Sequence, residues 1–248
     1  MSIDTRTLSD QAFDVIRERI LSTQIPPLAP IRQEALAEEL GISKIPLREA
    51  LGRLEQHGLL SSHPNRGFFV PALTTVEAEE VFALRLKIEP DAAAAACLDA
   101  NEVEREAAKA ALVSLEAATH AEGLATVSLN RAFHLALVRP GGRLVTTQLV
   151  ERLHVLAERY VRKHLEPEGR EARADSEHRA ILRAWLARDA ARITTLVSEH
   201  IALTLADLRL QLHEGGAVPE SAPKRPSTRP TRRASSTKQQ RQRAVPAK

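Results

Sequence analysis

The sequence has little of several residue types, and each shortage excludes a class of protein. A single cysteine, Cys97, among 248 residues excludes an internal disulfide framework and a zinc site built only from thiolates. The longest uninterrupted apolar run, Ala92 to Leu98, is far shorter than the roughly 20 residues that span a bilayer. No basic stretch followed by an apolar one opens the chain, so no secretion signal is predicted. We therefore expect a soluble, cytoplasmic protein that does not contact a membrane.

The remaining composition favours helices over sheet. Aromatic residues make up only 3% of the chain and hydrophobic residues 43%, with alanine used heavily. Strands are rich in β-branched and aromatic side chains, whereas alanine is the strongest helix former. At roughly 150 residues per domain, the length allows one large domain or two small ones. We therefore predict a mostly α-helical protein with a sizeable core.

Charge is distributed unevenly along the chain. The formal net charge is +3, but residues 215–248 hold nine Lys or Arg, five of the fourteen prolines and a single acid, Glu220. This segment has too few large apolar residues to offset the entropy of ordering, so we predict a disordered basic tail over residues 214–248. The tail is either a solubilising segment or a nonspecific phosphate-binding arm.

The first seventy residues have the pattern of three helices followed by a hairpin. Helical periodicity runs over 9–21, with Ser9 as the expected N-cap, and over 32–40, where Gly41 ends the second helix. A third helix capped by Ser43 follows, and two short apolar runs around the turn at 63–67 indicate a hairpin. This order predicts a winged helix-turn-helix domain over residues 1–72, with an ordinary three-helix bundle as the alternative.

In a winged helix-turn-helix the third helix enters the major groove of DNA. Lys44 and Arg48 lie one turn apart at the start of this helix, and arginine forks onto guanine in the commonest specific base contact. Arg66 and Gly67 form the tip of the expected wing, where a glycine allows close approach to a phosphate or a minor groove. These residues are the candidate DNA contacts.

The segment from Glu34 to Leu60, with Asn65 to Val70, closely resembles the DNA-binding domain of GntR-type bacterial regulators. The resemblance covers nearly all of residues 9–72. It implies that operator DNA is contacted by four residues of this chain, namely Ser43, Lys44, Arg48 and Gly67. Lys44 departs from the arginine common in the family, and it offers a point charge in place of a fork.

After Pro71 the periodicity stays helical to about residue 212. We predict six helices, over residues 75–98, 101–120, 122–138, 142–165, 173–187 and 189–212, with Asp189 as the N-cap of the last. Amphipathic helices of this length with short connections predict an antiparallel six-helix bundle. The bundle would form a domain over residues 75–213.

Histidines are the candidate functional residues of this bundle. His134, His178 and His200 lie on three different predicted helices, and their imidazoles would bind a divalent metal if they met at the bundle axis. Spacing alone does not distinguish this arrangement from three separate hydrogen-bonded core histidines.

Three strings in this region resemble the FCD effector domain, which accompanies GntR-type DNA-binding domains in the FadR subfamily. They are Asn130–His134, Ser176–Leu182 and Glu199–Ile201, and Arg85–Glu89 matches the opening helix. The resemblance implies a site for a divalent metal, with zinc favoured over nickel or manganese, and these ligands: Asn130, His134, His178 and His200. Asn130 replaces the aspartate of the family, so it either ligates weakly or holds a metal-bound water. The other histidines of the region, His120, His154, His164 and His213, are expected on the surface or in packing.

The resemblance also implies that the open side of the metal faces an effector, often a small carboxylate. Arg85 is the candidate partner of that carboxylate. The alternative is a helix-surface arginine paired to Glu89 four residues later.

The two halves together predict a DNA-binding regulator and not an enzyme. We expect a homodimer that sets two recognition helices about 34 Å apart on a palindromic operator. A small organic acid would shift the dimer between arrangements, with repression relieved by ligand favoured over activation. Two alternatives remain: a metal-free receptor for an acyl thioester of the coenzyme A type, and a metal-dependent hydrolase in which three histidines activate water.

Overall fold

The computed structural model describes residues 6–119, 125–164 and 170–214. Within these residues the chain forms nine α-helices, one two-stranded sheet and a short 3-10 turn at Arg139–Gly141. Their bounds are α1 Leu8–Leu21, α2 Gln33–Leu40, α3 Lys44–Gln56, β1 Ser61–His63, β2 Gly67–Phe69, α4 Thr75–Asp99, α5 Glu102–Thr119, α6 Ala125–Val138, α7 Leu144–His164, α8 Arg170–Leu186 and α9 Ala190–Glu214. The predicted basic tail lies outside the described residues, apart from the end of α9.

The N-cap of helix α1 lies two residues before the predicted cap. Thr7 is the N-cap, and its hydroxyl accepts from the amide of Asp10 at 3.1 Å. The Asp10 carboxylate accepts in return from the Thr7 amide, which completes a capping box. Ser9 is buried in the first turn and not the cap, so the prediction of Ser9 was wrong.

The turn between α2 and α3 has the predicted glycine stop. Gly41 adopts a φ of 64°, the left-handed conformation that side chains resist, and its amide donates to carbonyls of the last turn of α2. Ser43 is the N-cap of α3 by backbone conformation, without a side-chain cap hydrogen bond. The chain thus passes from α2 to α3 through a turn of only three residues.

The wing is an antiparallel hairpin in which Ser61 pairs with Phe69 and His63 with Gly67. The turn is sharp because Asn65 and Gly67 both have positive φ, 61° and 81°. The segment 28–31 pairs with the other edge of β2, where the Ile31 amide donates to the Phe68 carbonyl at 2.8 Å. The wing is therefore anchored on both sides.

Two hydrophobic clusters form the core. The first joins α1, α2, α3 and the hairpin, and its fully buried members include Ile16, Leu47, Leu51, Leu54 and Leu59. The second fills the helical region and includes Phe82, Phe133, Tyr160 and Trp185. Val155 of α7 belongs to the first cluster, although its neighbours on α7 belong to the second.

The helical region has the six helices that the sequence predicts. Helix α4 packs against α6, α7, α8 and α9, so it lies at the centre of the bundle. Trp185 of α8 donates from Nε1 to the Leu137 carbonyl of α6 at 3.0 Å. Asp189 precedes α9 and accepts from the Arg192 amide at 3.0 Å, as predicted for an N-cap. In the part of the chain that the structure describes, no helix is both long and apolar enough to cross a bilayer.

Candidate functional site

The candidate DNA contacts of α3 lie at its exposed N-terminal end. Ser43, Lys44 and Arg48 are all exposed, and the first-turn amides of a helix give this end a partial positive charge. Lys44 Nζ lies 2.7 Å from Glu34 Oε1 of α2, and Lys44 holds the pKa of Glu34 below its usual value. This pair is on the surface, so it opens at little cost when a phosphate competes for the lysine.

The wing brings a second group of candidates to the surface. Arg66 is exposed at the turn, and its amide donates to the His63 carbonyl at 3.0 Å. Gly67 follows with its positive φ, and a Cβ built there would meet Gln33 only at an ordinary contact distance of 3.7 Å. The glycine is therefore required by backbone conformation and not by crowding.

The structure brings the three candidate histidines of the bundle together. His134 of α6, His178 of α8 and His200 of α9 each offer one ring nitrogen, and these nitrogens lie within 4.8 Å of one another. All three residues are buried, at 2%, 3% and 7% exposure. The ring centroids are 5.5, 5.2 and 4.7 Å apart for the pairs 134–178, 134–200 and 178–200. We call these three residues the histidine triad.

Two members of the triad have a carboxylate at the same ring atom. His134 Nδ1 is 2.8 Å from Glu89 Oε1 of α4, and His200 Nδ1 is 2.7 Å from Glu177 Oε2 of α8. Among the described residues, His134 Nε2 is buried without a hydrogen-bond partner. An unpartnered, buried imidazole nitrogen beside two other imidazoles fits a metal ion, because burial without a partner is otherwise costly.

Burial favours the neutral imidazole in two members of the triad, which is the form that a metal requires. It lowers the pKa of His134 to about 4 and outweighs the opposing effect of Glu89. It lowers the pKa of His200 as well, against the effect of Glu177. Neutral imidazoles keep a lone pair at neutral pH, and three of them satisfy the usual donor set of an open zinc site.

Arg85 and His154 extend the cluster through their contacts with Glu89. Arg85 Nε lies 3.0 Å from Glu89 Oε2, and His154 Nε2 lies 3.0 Å from Glu89 Oε1. Burial opposes ionisation of Glu89, but Arg85, His154 and His134 together hold its pKa well below the usual value. Arg85 is therefore paired with Glu89, as the alternative prediction for Arg85 stated. The pair is buried, however, and does not lie on the helix surface.

A second set of residues, Glu89, His134 and His154, has metal-like spacing as well. The Arg85 guanidinium contacts this set directly, since its terminal nitrogen lies 3.3 Å from His154 Nε2. A second cation at this position would be repelled by the guanidinium, which already balances the Glu89 carboxylate. The triad is therefore the better metal site of the two.

The structure assigns the other residues of the predicted site less directly than the triad. Asn130 lies one turn before His134 on α6 and is half-buried, so its role as ligand remains a prediction. His154 was expected on the surface or in packing, whereas its ring lies 4.9 Å from that of His134 within the cluster. His120, together with the side chains of His164 and His213, lies outside the described residues.

Helix α7 connects this cluster to the winged helix region. Glu158, one turn after His154, forms ion pairs with Arg17 of α1 and with Arg131 of α6, at 3.2 Å for the latter. Glu158 is 3% exposed, and burial raises the pKa of its carboxyl group. Arg159 donates to the Pro71 carbonyl in the linker before α4. One face of α7 thus contacts the histidine cluster while another contacts the first core.

Comparison with known proteins divides the chain into the same winged helix and helical regions. The family model described as bacterial regulatory proteins, gntR family, matches residues 8–70, and the FCD domain model matches residues 80–203. The two matches together define a class of bacterial DNA-binding regulators of transcription with a helical effector domain. The chain belongs to the GntR family, as a member with an FCD domain.

Individual relatives agree with this assignment. The chain is 30% identical over 197 residues to the HTH-type transcriptional repressor GlaR of Escherichia coli strain K12, covering 75% of this chain and 89% of that protein. It is 30% identical over 130 residues to the HTH-type transcriptional regulator YdhC of Bacillus subtilis strain 168, covering 52% and 58%. The chain spans about half to two thirds of the length of the curated relatives that it matches first.

Solved structures share the fold. Escherichia coli McbR/YncC superposes with a TM-score of 0.71 at 24% identity, covering 84% of this chain and 99% of that one. A GntR-type transcriptional regulator from Rhodococcus sp. RHA1 superposes with a TM-score of 0.67 at 17% identity, covering 81% and 97%. The winged helix-turn-helix and the six-helix domain therefore occur together in other proteins.

Proposed function

We propose that this protein is a cytoplasmic, homodimeric transcriptional repressor that leaves its operator when a small carboxylate binds at a metal centre in the helical domain. The observation that carries the proposal is the convergence of three buried imidazoles from three helices, with one ring nitrogen of each within 4.8 Å of the others. The chain combines this donor set with an exposed recognition helix, which supports a sensor joined to a DNA-binding module.

Base reading belongs to the exposed start of α3. Arg48 reaches a guanine edge in the major groove with two parallel hydrogen bonds, and Ser43 and Lys44 fix the helix on the phosphates. Arg66 and Gly67 of the wing contact the adjacent backbone or minor groove. Two copies of this module, paired through the helical domains, would place their recognition helices about 34 Å apart on a palindromic site.

The histidine triad holds the ion in the proposal. His134, His178 and His200 supply three neutral nitrogen ligands, which suits zinc best and accommodates nickel or manganese. When bound, the ion offers a Lewis-acidic position to a carboxylate oxygen. Asn130 would add a neutral amide oxygen, so this ligand set brings no negative charge of its own and an anionic effector is favoured.

Arg85 is the proposed second contact of the effector. It is buried and already paired with Glu89, so an incoming carboxylate must share the guanidinium or displace Glu89 from it. Because Glu89 also contacts His134 and His154, this exchange would alter contacts of both α6 and α7. The effector would thus act on α7, the helix that contacts α1 of the winged helix region.

The proposal gives the site no catalytic role. The two carboxylates that face the triad, Glu89 and Glu177, lie within hydrogen-bond distance of His134 and His200 through their imidazole Nδ1 atoms. Neither carboxylate is therefore available as the general base that a water-activating hydrolase requires. Binding, and not turnover, is the activity we propose.

Metal binding is tested by elemental analysis of the purified full chain after zinc reconstitution. We expect about one ion per chain for the native protein and for His63→Ala, an exposed histidine of the wing. His178→Ala should retain only a small fraction of this amount, because two neutral ligands bind zinc poorly. Equal metal content in His178→Ala and the native chain would refute the triad as the centre.

DNA binding is tested first, and the release of the protein from DNA by an effector is tested second. Duplexes selected from a random pool by the native chain should share a palindromic motif, and zinc-loaded protein should bind them specifically. A panel of small mono- and dicarboxylic acids is then added, with the matching neutral amides as controls. An effector should weaken binding by about 10-fold, a typical coupling. The absence of a selected motif would refute the regulator, and tighter binding with an acid would refute the repressor.

A further inference from the structure

The carboxylates beside the triad form a repeated arrangement. Glu89 reaches His134 from α4, and Glu177 reaches His200 from α8. In both cases the carboxylate meets Nδ1 and comes from a helix other than that of the histidine. In His134 the opposite nitrogen, Nε2, is the buried atom without a partner among the described residues.

We propose that Glu89 and Glu177 are positioning residues that fix His134 and His200 in the Nδ1–H tautomer and direct each Nε2 towards one shared ion. This inference rests on the metal centre proposed above. A neutral imidazole carries a single N–H, and an ionised carboxylate accepts it. The proton therefore stays on Nδ1, and the lone pair stays on Nε2, where a metal ligand needs it.

Geometry supports this assignment at His134. Arg85 Nε lies 3.0 Å from Glu89 Oε2, while Glu89 Oε1 lies 2.8 Å from His134 Nδ1. A carboxylate paired with a guanidinium is an acceptor, so the hydrogen of the contact with His134 belongs to Nδ1. This leaves Nε2, which is buried without a partner among the described residues, free to bind.

Glu177 has a second relation to the triad. It immediately precedes His178 on α8, so one turn of this helix supplies both a ligand and the support of another ligand, His200 of α9. Arg173, one turn earlier, lies 3.4 Å from Glu177 and also pairs with Asp207 of α9. These contacts join α8 to α9 beside the triad.

Glu177 is the residue to test, because its removal strands no buried arginine. Its side chain is 20% exposed, whereas that of Glu89 is 1% exposed and balances Arg85. The variants are Glu177→Ala, Glu177→Gln and, as the matched control, Glu199→Ala, which removes an exposed carboxylate next to His200. Glutamine keeps an acceptor oxygen for the Nδ1–H and should rescue most of the loss.

The first readout needs no metal. Histidine-selective 15N labelling of the full metal-free chain, at a pH where imidazoles are neutral, reports which ring nitrogen carries the hydrogen. His200, assigned by loss of its signals in His200→Ala, should be an Nδ1–H tautomer in the native chain, Glu177→Gln and Glu199→Ala. It should shift towards Nε2–H in Glu177→Ala. An Nε2–H tautomer in the native chain would overturn the proposal.

The second readout is zinc affinity measured by competition with a chromophoric chelator. Glu177→Ala should bind zinc about 10- to 100-fold more weakly than the native chain, and Glu199→Ala should be unchanged. If Glu177→Ala binds zinc as tightly as the native chain, the positioning role is refuted and the metal centre is not. A native chain that binds no zinc but has the Nδ1–H tautomer would refute the metal centre and leave the tautomer assignment standing.

Discussion

The two halves of this chain expose their candidate functional groups in opposite ways. In the winged helix region Ser43, Lys44, Arg48 and Arg66 are all exposed. In the helical region His134, His178 and His200 are buried, as are the Glu89 and Arg85 that accompany them. The first group presents its positive charge to solvent, and the second group encloses its titratable side chains in the core.

This contrast indicates how each site controls its chemistry. The exposed cations need no partner, because water solvates them and a surface pair such as Lys44 with Glu34 exchanges readily. The buried groups must be balanced within the core, which is why Glu89 contacts Arg85 and two imidazoles. Removing an exposed cation of the first region should therefore affect DNA affinity more than stability, whereas removing a buried charge of the second should lower stability as well.

The largest effect is expected where the two regions meet. Glu158→Ala leaves Arg17 and Arg131 without their buried carboxylate, and we expect it to lower the free energy of unfolding by about 3 kcal/mol. Arg152→Ala, at an exposed position of the same helix, should change it by less than about 0.5 kcal/mol. Chemical denaturation monitored by circular dichroism measures both. A loss below about 1 kcal/mol for Glu158→Ala would show that the regions are joined by packing alone.

A double substitution sharpens the same result. Arg17→Ala combined with Glu158→Ala should cost less than the sum of the two single losses, because each single variant strands a charge that the double variant removes. Additive losses would contradict a direct pair.

Arg48→Ala should leave stability almost unchanged and weaken operator binding by about 1 to 3 kcal/mol. The matched control is Arg192→Ala, which removes one exposed positive charge from α9. Fluorescence anisotropy on a selected duplex and on a scrambled duplex separates specific from nonspecific affinity. If Arg48→Ala and Arg192→Ala lose the same affinity on both duplexes, Arg48 contributes only its charge. The assignment of α3 as the recognition helix would then be wrong.

Gly67→Ala should destabilise the protein by about 1 kcal/mol, since an alanine resists the positive φ of 81° at this position. Gly52→Ala provides a control of opposite sign. Gly52 lies inside α3 with open space around its Cα, so alanine there should stabilise by about 0.5 to 1 kcal/mol. Thermal unfolding measures both changes, and stabilisation by Gly67→Ala would mean that the wing adopts another turn.

The smallest effect is expected at the capping box of α1. The Thr7 hydroxyl, Arg53 and the Thr7 amide lower the pKa of Asp10 from 3.8 to about 2. A lowered pKa contributes stability that is complete above pH 3.8 and is lost as the pH falls towards 2. Asp10→Asn should remove this part of the pH dependence in acid titrations followed by circular dichroism. An unchanged acid profile would contradict the box.

The sequence predicted those elements whose causes are local. Periodicity placed all nine helices of the described residues, and Gly41 ended α2 as expected. The cap of α1 was predicted at Ser9, although Thr7 followed by Asp10 three residues later is the stronger pattern, because only this spacing lets both side chains cap each other's amides.

The candidate site was predictable only in part. The histidines of the triad were named from motif strings, but their carboxylate partners come from other helices and 23 to 45 positions away, so no local pattern links them. His154 was missed because nothing in its own neighbourhood distinguishes it from a packing residue. The four-residue spacing of Arg85 and Glu89 was the one local sequence signal of this buried ion pair.

Residues within one turn of α7 contact different parts of the molecule. His154 contacts Glu89 of the imidazole cluster, Val155 lies in the hydrophobic core of the winged helix region, and Glu158 forms an ion pair with Arg17 of α1. An α-helix advances about 100° per residue and keeps its side chains at fixed angles to one another. A rotation of α7 about its axis would therefore displace contacts in both hydrophobic clusters at once.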